Sequence, residues 1–241
     1  MKKSTLLGLA TAAFLVFGPA LLLSCVGCAP VTTRAQAPAD PRAASVPLQV
    51  TDGGCSATIY LDHTILTAAH CLAGGDVVSI GGRPAKSLWT LKDKTDHVFV
   101  VTNLTFEVTP PVFNFTGGLP QGTTIRYYGS PLGIPDQYRL GYVTGTCKAD
   151  YCFPGLSAAL GLSGDYQVTL LSVMGQHGDS GAGIFNDAGE VVGVVSLIQQ
   201  EMPPPFTPMG ALPFTFTAGD IATVALMNDG AADALAPPGS P

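Results

Sequence analysis

The stretch "GCSATIYLDHTILTAAHCLAG", Gly54 to Gly74, places two cysteines around a run rich in β-branched and aromatic residues. Such residues fit the pleated surface of a sheet, and the run predicts two short strands in a hairpin-like arrangement, Ala57–Leu61 and Thr64–Thr67. His70 stands directly before the second cysteine, behind "TAA". The stretch therefore predicts β structure with a histidine close to one end of it.

Short apolar runs of this kind recur along the rest of the chain. They predict further strands at Val77–Ile80, His97–Thr102, Thr123–Tyr128, Tyr138–Thr144, Tyr166–Met174, Gly183–Phe185 and Val191–Leu197. "NDAG", Asn186 to Gly189, predicts a hairpin loop between the last two. Pro110-Pro111 and "GGLPQG" divide the strands into two groups, and Ala218–Asp229 is the one convincing helix. The pattern predicts an all-β protein, as two small barrels or a bent sandwich.

Composition limits the classes of function. The chain has 241 residues, is 46% hydrophobic and carries a net charge of −6, with 29 glycines and 20 prolines. That length suits one large domain or two lobes that share a core, and the glycine and proline content favours short strands with tight turns. An acidic chain without a basic cluster is a poor ligand for nucleic acid, because binding to phosphates needs lysine and arginine.

The N-terminus is interpreted as an export signal in residues 1–24. Lys2 and Lys3 precede a long apolar segment, and "LLLSC" before Cys25 resembles a bacterial lipobox, whose cysteine becomes lipidated. Cys28 is a second candidate for lipidation, and simple cleavage or a retained membrane anchor are the alternatives. Residues 25–47 then form the lipid-attachment region and a flexible linker rich in alanine and proline. Each of these interpretations places the domain outside the cytoplasm.

Export changes the interpretation of the remaining cysteines. Four of them follow the linker: Cys55, Cys71, Cys147 and Cys152. An even number in an oxidising compartment predicts two disulfides. A zinc site is disfavoured, because the last two cysteines lack a second pair or a nearby histidine and no histidines stand at i, i+4. We expect no metal and no cofactor, and we expect His63 and His97 to cap loops or lie on strand faces.

A second stretch, "SVMGQHGDSGAGIF" from Ser172 to Phe185, surrounds Ser180 with glycines. Alone, it fits either a turn, because glycine and serine are common turn formers, or a nucleophile on a built site. With the histidine stretch, it resembles the trypsin-like serine proteases of the chymotrypsin fold, bacterial type. "TAAHC" resembles their histidine region, "GDSGAG" their serine region, "VVGVVSL" the strand that follows, and "GTTIRYYGSPLG" the first strand of the second barrel. The likeness runs from about Cys55 to about Leu197.

The resemblance implies a fold and a chemistry. The fold is two antiparallel six-stranded β-barrels with a short C-terminal helix, in residues 48–228, followed by a disordered tail in residues 229–241. The chemistry uses Ser180 as nucleophile and His70 as its base, because a serine hydroxyl is a weak nucleophile until a base accepts its proton. Gly178 and Ser180 would supply the two N–H groups of an oxyanion hole. The family bridge implies Cys55–Cys71, and Cys147–Cys152 would be a tight link in the second barrel.

Three aspartates between His70 and Ser180 compete for the place of the triad acid. In the family this acid stands at the start of an apolar strand well after the histidine, and "DHVFVVTN" places Asp96 there. Asp93 lies in the charged segment "LKDKTD" and is interpreted as a solvated turn residue. Asp76 follows His70 by only six residues, which leaves little chain between the motifs. Asp96 is therefore the predicted acid.

The resemblance also predicts a specificity pocket, with a departure from the digestive members. Motif alignment assigns its lining to Met174, Gly175, His177, Ser196, Leu197 and Ile198. Met174 stands at the pocket base in place of an acid, so we expect small or medium apolar P1 residues, with an acidic preference through His177 as the rival. Activated digestive members begin with an Ile-Val-Gly-Gly-like terminus, whose amine is buried against the aspartate before the serine. No such terminus appears near residue 48, so the partner of Asp179 is left open.

These inferences predict an exported serine endopeptidase, monomeric, acting on protein or peptide substrates. We expect it in the bacterial cell envelope, held to the membrane by its N-terminal lipid and facing away from the cytoplasm, or secreted. The alternatives are a lipid-anchored binding module on a silent protease fold, and a protease restricted to itself or one partner. An α/β-hydrolase is disfavoured, because Ala182 occupies the position where the nucleophile elbow needs glycine.

Overall fold

The protein is described by a computed structural model over residues 39–116, 118–161, 165–198 and 209–235. The predicted signal peptide in residues 1–24 and the predicted lipidation at Cys25 or Cys28 lie outside these ranges. Within the described ranges, no helix has the length and apolar character needed to cross a bilayer.

The first half of the described chain forms one antiparallel sheet. Its strands are β1 (Ser45–Val50), β2 (Gly53–Leu61), β3 (Thr64–Ala68), β4 (Val77–Ile80), β5 (Arg83–Pro84), β6 (Ser87–Lys92) and β7 (His97–Thr102). They pair in the order β5-β4-β1-β2-β3-β7-β6. The sheet has seven strands and, across the described residues, is an open half-barrel rather than the closed six-stranded barrel that we predicted. The two edge strands, β5 and β6, explain why the sheet does not close. Strand β5 has only two residues, and its Pro84 has no N–H to pair with another strand, while β6 is largely exposed to solvent.

The second half of the described chain closes into the predicted six-stranded barrel. Its strands are β8 (Thr124–Gly129), β9 (Gln137–Lys148), β10 (Gln167–Leu171), β11 (Gly183–Phe185), β12 (Val191–Ile198) and β13 (Met209–Ala211). They follow the order β10-β13-β12-β11-β8-β9 around the barrel. The predicted "NDAG" loop joins β11 to β12, and the Gly189 N–H donates to the Asn186 carbonyl at 3.0 Å. The protein is therefore mostly β, with the chymotrypsin-like arrangement of two sheets.

Part of the predicted linker is structured. A short helix, α1 (Pro41–Ala44), leads directly into β1, which pairs with β2 on one side and with β4 on the other. The Asp40 carboxylate caps α1 by accepting the N–H of Arg42 at 2.9 Å. The boundary at residue 48 is therefore corrected to about residue 40. We did not predict β1 because it contains Pro47, and proline is rare in strands with neighbours on both sides.

Three further helices complete the described chain: α2 (Ala149–Cys152), α3 (Pro154–Ala159) and α4 (Ala218–Leu235). Helix α4 begins where we predicted but continues to Leu235, so residues 229–235 are helical and not part of a disordered tail, as we had predicted. The reason is packing, because Ala231 is buried. The rest of the predicted tail, residues 236–241, lies outside the described ranges. The Asn228 amide oxygen accepts the N–H of His63 at 2.9 Å and the hydroxyl of Thr64 at 3.0 Å, which attaches α4 to the β2–β3 turn.

Both predicted disulfides are present. Cys55–Cys71 joins the start of β2 to a short 3₁₀ helix, Ala69–Gly74, which carries His70. A cross-link that closes a loop of this length stabilises a domain by roughly 3 kcal/mol, mainly through the unfolded chain. Cys147–Cys152 joins the end of β9 to α2. The first bridge therefore fixes the segment on which the predicted base stands.

Candidate active site

His70 and Asp96 meet through two hydrogen bonds. The His70 ring nitrogen Nδ1 lies 2.7 Å from Asp96 Oδ2, and the His70 backbone N–H donates to Asp96 Oδ1 at 2.8 Å. Asp96 directly precedes β7 and is only 2% exposed, whereas the His70 side chain is partly exposed. The backbone carbonyl of Asp96 also accepts the N–H of Ala69 at 2.8 Å. One buried carboxylate therefore fixes the position of the whole histidine segment and the orientation of its ring.

The two competing aspartates lie elsewhere. Asp76 is exposed, and only its backbone carbonyl is engaged, by Thr51. Asp93 is not a solvated turn residue, and that interpretation was wrong. Its Oδ2 lies 2.8 Å from Nδ1 of His97, and both side chains are 0% exposed. Thr215, which lies far along the chain, donates its N–H to the same Asp93 oxygen at 3.0 Å, and this tertiary contact is invisible in the local sequence.

The buried Asp93–His97 pair gives folding a dependence on acid pH. Burial opposes ionisation of Asp93, but the hydrogen bond and charge of His97 and the N–H of Thr215 outweigh it and lower the pKa of Asp93 to about 2. A carboxyl group whose pKa is lowered on folding stabilises the folded protein at pH values above its unfolded pKa of 3.8. This stability is lost as the pH falls through the folded pKa of about 2.

We expect Asp93→Asn to lower the free energy of unfolding by about 2 kcal/mol at pH 6, with a deficit that shrinks as pH falls from about 4 to about 2. Urea unfolding across this pH range measures the effect. Asp76→Asn is the matched control, because Asp76 is exposed, and it should unfold like the wild type throughout. A deficit for Asp93→Asn that does not change with pH would contradict the assignment.

The loop that carries Ser180 turns on two glycines. Gly178 has a φ of 98° and Gly181 a φ of 88°, which other residues rarely adopt. A Cβ at Gly178 would lie 2.5 Å from the carbonyl oxygen of Ser130, and one at Gly181 would overlap the carbonyl oxygen of Ser56. Gly181 therefore lets the backbone beside Ser180 pack directly on the N-terminal sheet, and Gly178 lets it pack on the segment that begins at Ser130.

Ser180 and His70 line one cleft of about 320 Å³ between the two sheets. The lining residues are Val50, Asp52, Gly53, Gly54, Cys55, His70, Cys71, Gly74, His177, Gly178 and Ser180. Within the described ranges, Ser180 Oγ makes no hydrogen bond to His70, and the N–H groups of Gly178 and Ser180 donate to no acceptor. Two neighbouring backbone N–H groups without an acceptor can together bind an oxygen atom that carries negative charge.

Asp179, whose partner the sequence left open, is buried at the back of this loop. The Tyr127 hydroxyl donates to its Oδ2 at 3.2 Å, and the N–H of Gln176 donates to the same oxygen at 2.9 Å. Burial raises the pKa of Asp179, against the opposing effects of Gln176, the charge of Arg139 and the Tyr127 hydroxyl. Burial also raises the pKa of Tyr127, which keeps its hydroxyl protonated as a donor. The partners of Asp179 are thus a tyrosine of the barrel interior and a backbone N–H of the serine loop.

We expect Tyr127→Phe to cost roughly 1.5–3 kcal/mol of unfolding free energy at pH 8, because a buried carboxylate loses a donor. The pKa of Asp179 is raised in the folded protein, so ionisation of Asp179 lowers the stability as pH rises through that pKa. Without the Tyr127 hydroxyl, the ionised Asp179 is still less stable. The cost should therefore be smaller at pH 4 than at pH 8. Chemical denaturation at both pH values measures it. Tyr60→Phe is the control, since the Tyr60 ring packs on Phe99 at 4.6 Å and its hydroxyl has no hydrogen bond in the described chain. Equal costs at both pH values would argue against the pairing.

The predicted pocket residues divide into buried and exposed groups. Gly175, Ser196 and Leu197 are buried on the barrel side, and His177 is exposed at the rim of the cleft. Met174 is 48% exposed, so it does not form the dry floor that we expected. Ile198 ends β12, and its side chain lies outside the part that the structure describes. Residues 199–208, which follow it, also lie outside that part.

One apparent cluster of metal ligands can be set aside on its chemistry. Ligand atoms of Cys55, His70 and Cys71 lie within 4.8 Å of one another. The two cysteines form a disulfide, so neither offers the thiolate that a metal would bind. The histidine is already bound to Asp96 through Nδ1.

A family model for the trypsin-like peptidase domain matches residues 55–194, which is more than half of the chain. The match includes His70, Asp96 and Ser180. The chain belongs to the trypsin-like peptidase family. This membership supports a peptidase, the class of enzyme that the sequence motifs implied. A comparison with curated proteins finds no significant match.

Solved structures with the same fold include several proteases of low sequence identity. An inactive form of the Rv3671c protease of M. tuberculosis is 16% identical, with a TM-score of 0.53 over 78% of this chain and 89% of that one. A Glu endopeptidase is 16% identical, with a TM-score of 0.54 over 79% and 93%. The HtrA-type protease AlgW with a tripeptide is 18% identical, with a TM-score of 0.58 over 78% and 61%. These likenesses establish the trypsin-like fold.

Proposed function

We propose that this trypsin-like peptidase is an exported serine endopeptidase with Ser180, His70 and Asp96 as its catalytic triad. The observation that carries the proposal is the double contact of Asp96 with His70, in the cleft that Ser180 also lines. A buried carboxylate on Nδ1 holds the ring in the tautomer that leaves Nε2 free to accept a proton. The N–H groups of Gly178 and Ser180 supply the oxyanion hole.

In the proposed reaction, His70 Nε2 takes the proton of Ser180 Oγ as this oxygen attacks the carbonyl carbon of the scissile bond. The carbonyl oxygen gains the negative charge and is bound by the two N–H groups. The protonated His70 then gives its proton to the departing amine as the C–N bond breaks, which leaves an acyl group on Ser180. Water, deprotonated by His70, hydrolyses this ester and restores the serine hydroxyl.

We propose a preference for small or medium apolar P1 residues such as Ala, Val, Leu and Met. The support comes from the sequence, because the position six before Ser180 is Met174 rather than an acid, so a basic P1 side chain finds no carboxylate there. In a peptide library we expect these residues to lead Arg, Lys and Glu at P1 in kcat/KM, because an unpaired charge is costly in a dry site. Among the apolar residues, one methylene should change kcat/KM by only roughly 10- to 200-fold. A library led by Glu would instead favour recognition by His177, and one led by Arg or Lys would contradict both.

We place the enzyme in the bacterial cell envelope, attached through Cys25 or Cys28, with secretion as the alternative, and acting as a monomer on protein or peptide substrates. The support is the N-terminal sequence and the disulfide Cys55–Cys71, which suits an oxidising compartment. Nucleic acid is not an expected partner at a net charge of −6.

A fluorophosphonate probe tests the mechanism directly, because it phosphonylates only an activated serine. We expect a mass increase on the tryptic peptide of Ser180 in the wild type and none in Ser180→Ala. Absence of labelling in the folded wild type would favour a silent protease fold. Incubation with unrelated unfolded proteins separates a general endopeptidase, which cleaves them, from one restricted to itself or a single partner.

A further inference from the structure

The hydroxyl of Ser56 joins three segments behind the serine loop. Ser56 lies on β2 directly after Cys55 and is only 1% exposed. Its Oγ donates to the carbonyl oxygen of Gly178 at 2.7 Å and accepts the N–H of Ser130 at 2.8 Å. Its backbone N–H donates to the carbonyl oxygen of Ser180 at 2.7 Å. One buried residue of the N-terminal sheet therefore contacts both glycine and serine of the loop.

The segment that begins at Ser130 contacts the same loop from the other side. The N–H of Leu132 donates to the carbonyl oxygen of His177 at 2.9 Å. Leu132 has a φ of 53°, a left-handed conformation that is unfavourable for a residue with a Cβ. Its side chain is largely exposed, so burial of that side chain does not offset the cost. The strained backbone is retained by hydrogen bonds, including the one that Ser56 accepts from Ser130.

These contacts set the direction of one N–H group. In a trans peptide the C=O and the N–H point to opposite sides. Leu132 holds the carbonyl of the His177–Gly178 peptide on one side, so the Gly178 N–H is directed to the other. That N–H donates to no acceptor within the described ranges, and Gly178 lines the cleft with His70 and Ser180.

We propose that Ser56 is a positioning residue for the oxyanion hole, which rests on the proposed function of the same site. Its hydroxyl holds the carbonyl of Gly178 directly and the Leu132 N–H indirectly, through Ser130. Without the Ser56 hydroxyl, the Gly178 carbonyl loses its donor and the segment that carries Leu132 loses the acceptor of the Ser130 N–H. The peptide between His177 and Gly178 can then rotate. Rotation would replace the N–H donor at the oxyanion by a carbonyl oxygen, which repels negative charge.

The test compares Ser56→Ala with Thr58→Val in the otherwise unchanged protein. Thr58 is a neighbour on β2, is fully buried and accepts the Gly183 N–H at 2.8 Å. Within the described ranges it makes no hydrogen bond to Gly178 or to the segment that begins at Ser130. For Ser56→Ala we expect kcat to fall about 10- to 100-fold with KM nearly unchanged, which is less than complete loss of an oxyanion donor. Binding of a peptide aldehyde, whose serine adduct carries the oxyanion, should weaken by a similar factor. For Thr58→Val we expect a lower Tm with kcat and aldehyde affinity retained.

Two outcomes would overturn the proposal. The first is a Ser56→Ala variant that keeps the kcat and the aldehyde affinity of the wild type. The second is an equal loss of kcat in both variants, which would indicate a general effect of losing a buried hydrogen bond. If Ser56→Ala does not fold, Ser56→Cys replaces it, because a thiol keeps similar volume but is a weak donor and acceptor. A wild-type protein without hydrolysis would instead refute the proposed function, and the positioning role with it.

Discussion

Replacement of Ser180 by alanine is expected to lower kcat by roughly 10⁴- to 10⁶-fold, and His70→Ala should do the same. The nucleophile and its base act as one unit, so neither retains its function when the other is lost. The double variant should therefore be about as inactive as each single variant. Steady-state hydrolysis of a peptide ester or amide measures kcat, and thermal unfolding verifies that each variant is folded.

The third member of the proposed triad can be distinguished from its neighbours in the same assay. Asp96→Asn should lower kcat by roughly 10⁴-fold, because an amide favours the wrong tautomer of His70. Asp93→Asn should lose stability while the folded fraction keeps its kcat, since Asp93 contacts His97 and not His70. Substantial hydrolysis by Ser180→Ala would remove the mechanism altogether, and a larger loss in Asp93→Asn than in Asp96→Asn would reassign the acid.

The sequence predicted the parts of this fold that local patterns determine. Buried strands such as β3 and β7 consist of apolar and β-branched residues, so their composition alone indicates them. The start of α4 followed the same logic. The six-stranded second barrel came from the family resemblance, since the local pattern fitted two small barrels or a bent sandwich equally well. The proximity of His70 and Asp96 could not be derived from periodicity; it came from the resemblance to a family, and the structure places them 2.7 Å apart.

What the sequence concealed depends on contacts between distant segments. Strand β6 is mostly exposed, so its residues lack the apolar pattern of a buried strand. Asp93 stands in a charged segment, and only the fold brings Thr215 to it. Tyr127 faces the barrel interior, as alternation along β8 predicts, but its contact with Asp179 depends on the loop before β11. Ser56 carries no motif of its own, and its role is visible only from its two hydrogen-bond partners.

Gly181→Ala is expected to have the largest effect on stability of any single-methyl change in the serine loop. At a φ of 88° an alanine is strained by roughly 1–2 kcal/mol. The added Cβ would also overlap the carbonyl oxygen of Ser56 and the hydroxyl of Thr67, and it would lie 3.1 Å from the nitrogen of Ala68. Two of these atoms belong to strand backbones and cannot move aside without separating the serine loop from β2 and β3.

Gly189→Ala is the matched control, because it separates strain from overlap. Gly189 also has a positive φ, 78°, but a Cβ there would meet nothing within 4 Å. We expect it to cost only roughly 1–2 kcal/mol. Gly181→Ala should cost more than about 4 kcal/mol, which lowers Tm by more than about 10 °C in a domain of this size, or should prevent folding. Thermal and urea unfolding of the two variants measure the difference. Similar costs at the two positions would mean that the loop beside Ser180 is not held against the N-terminal sheet by close backbone packing.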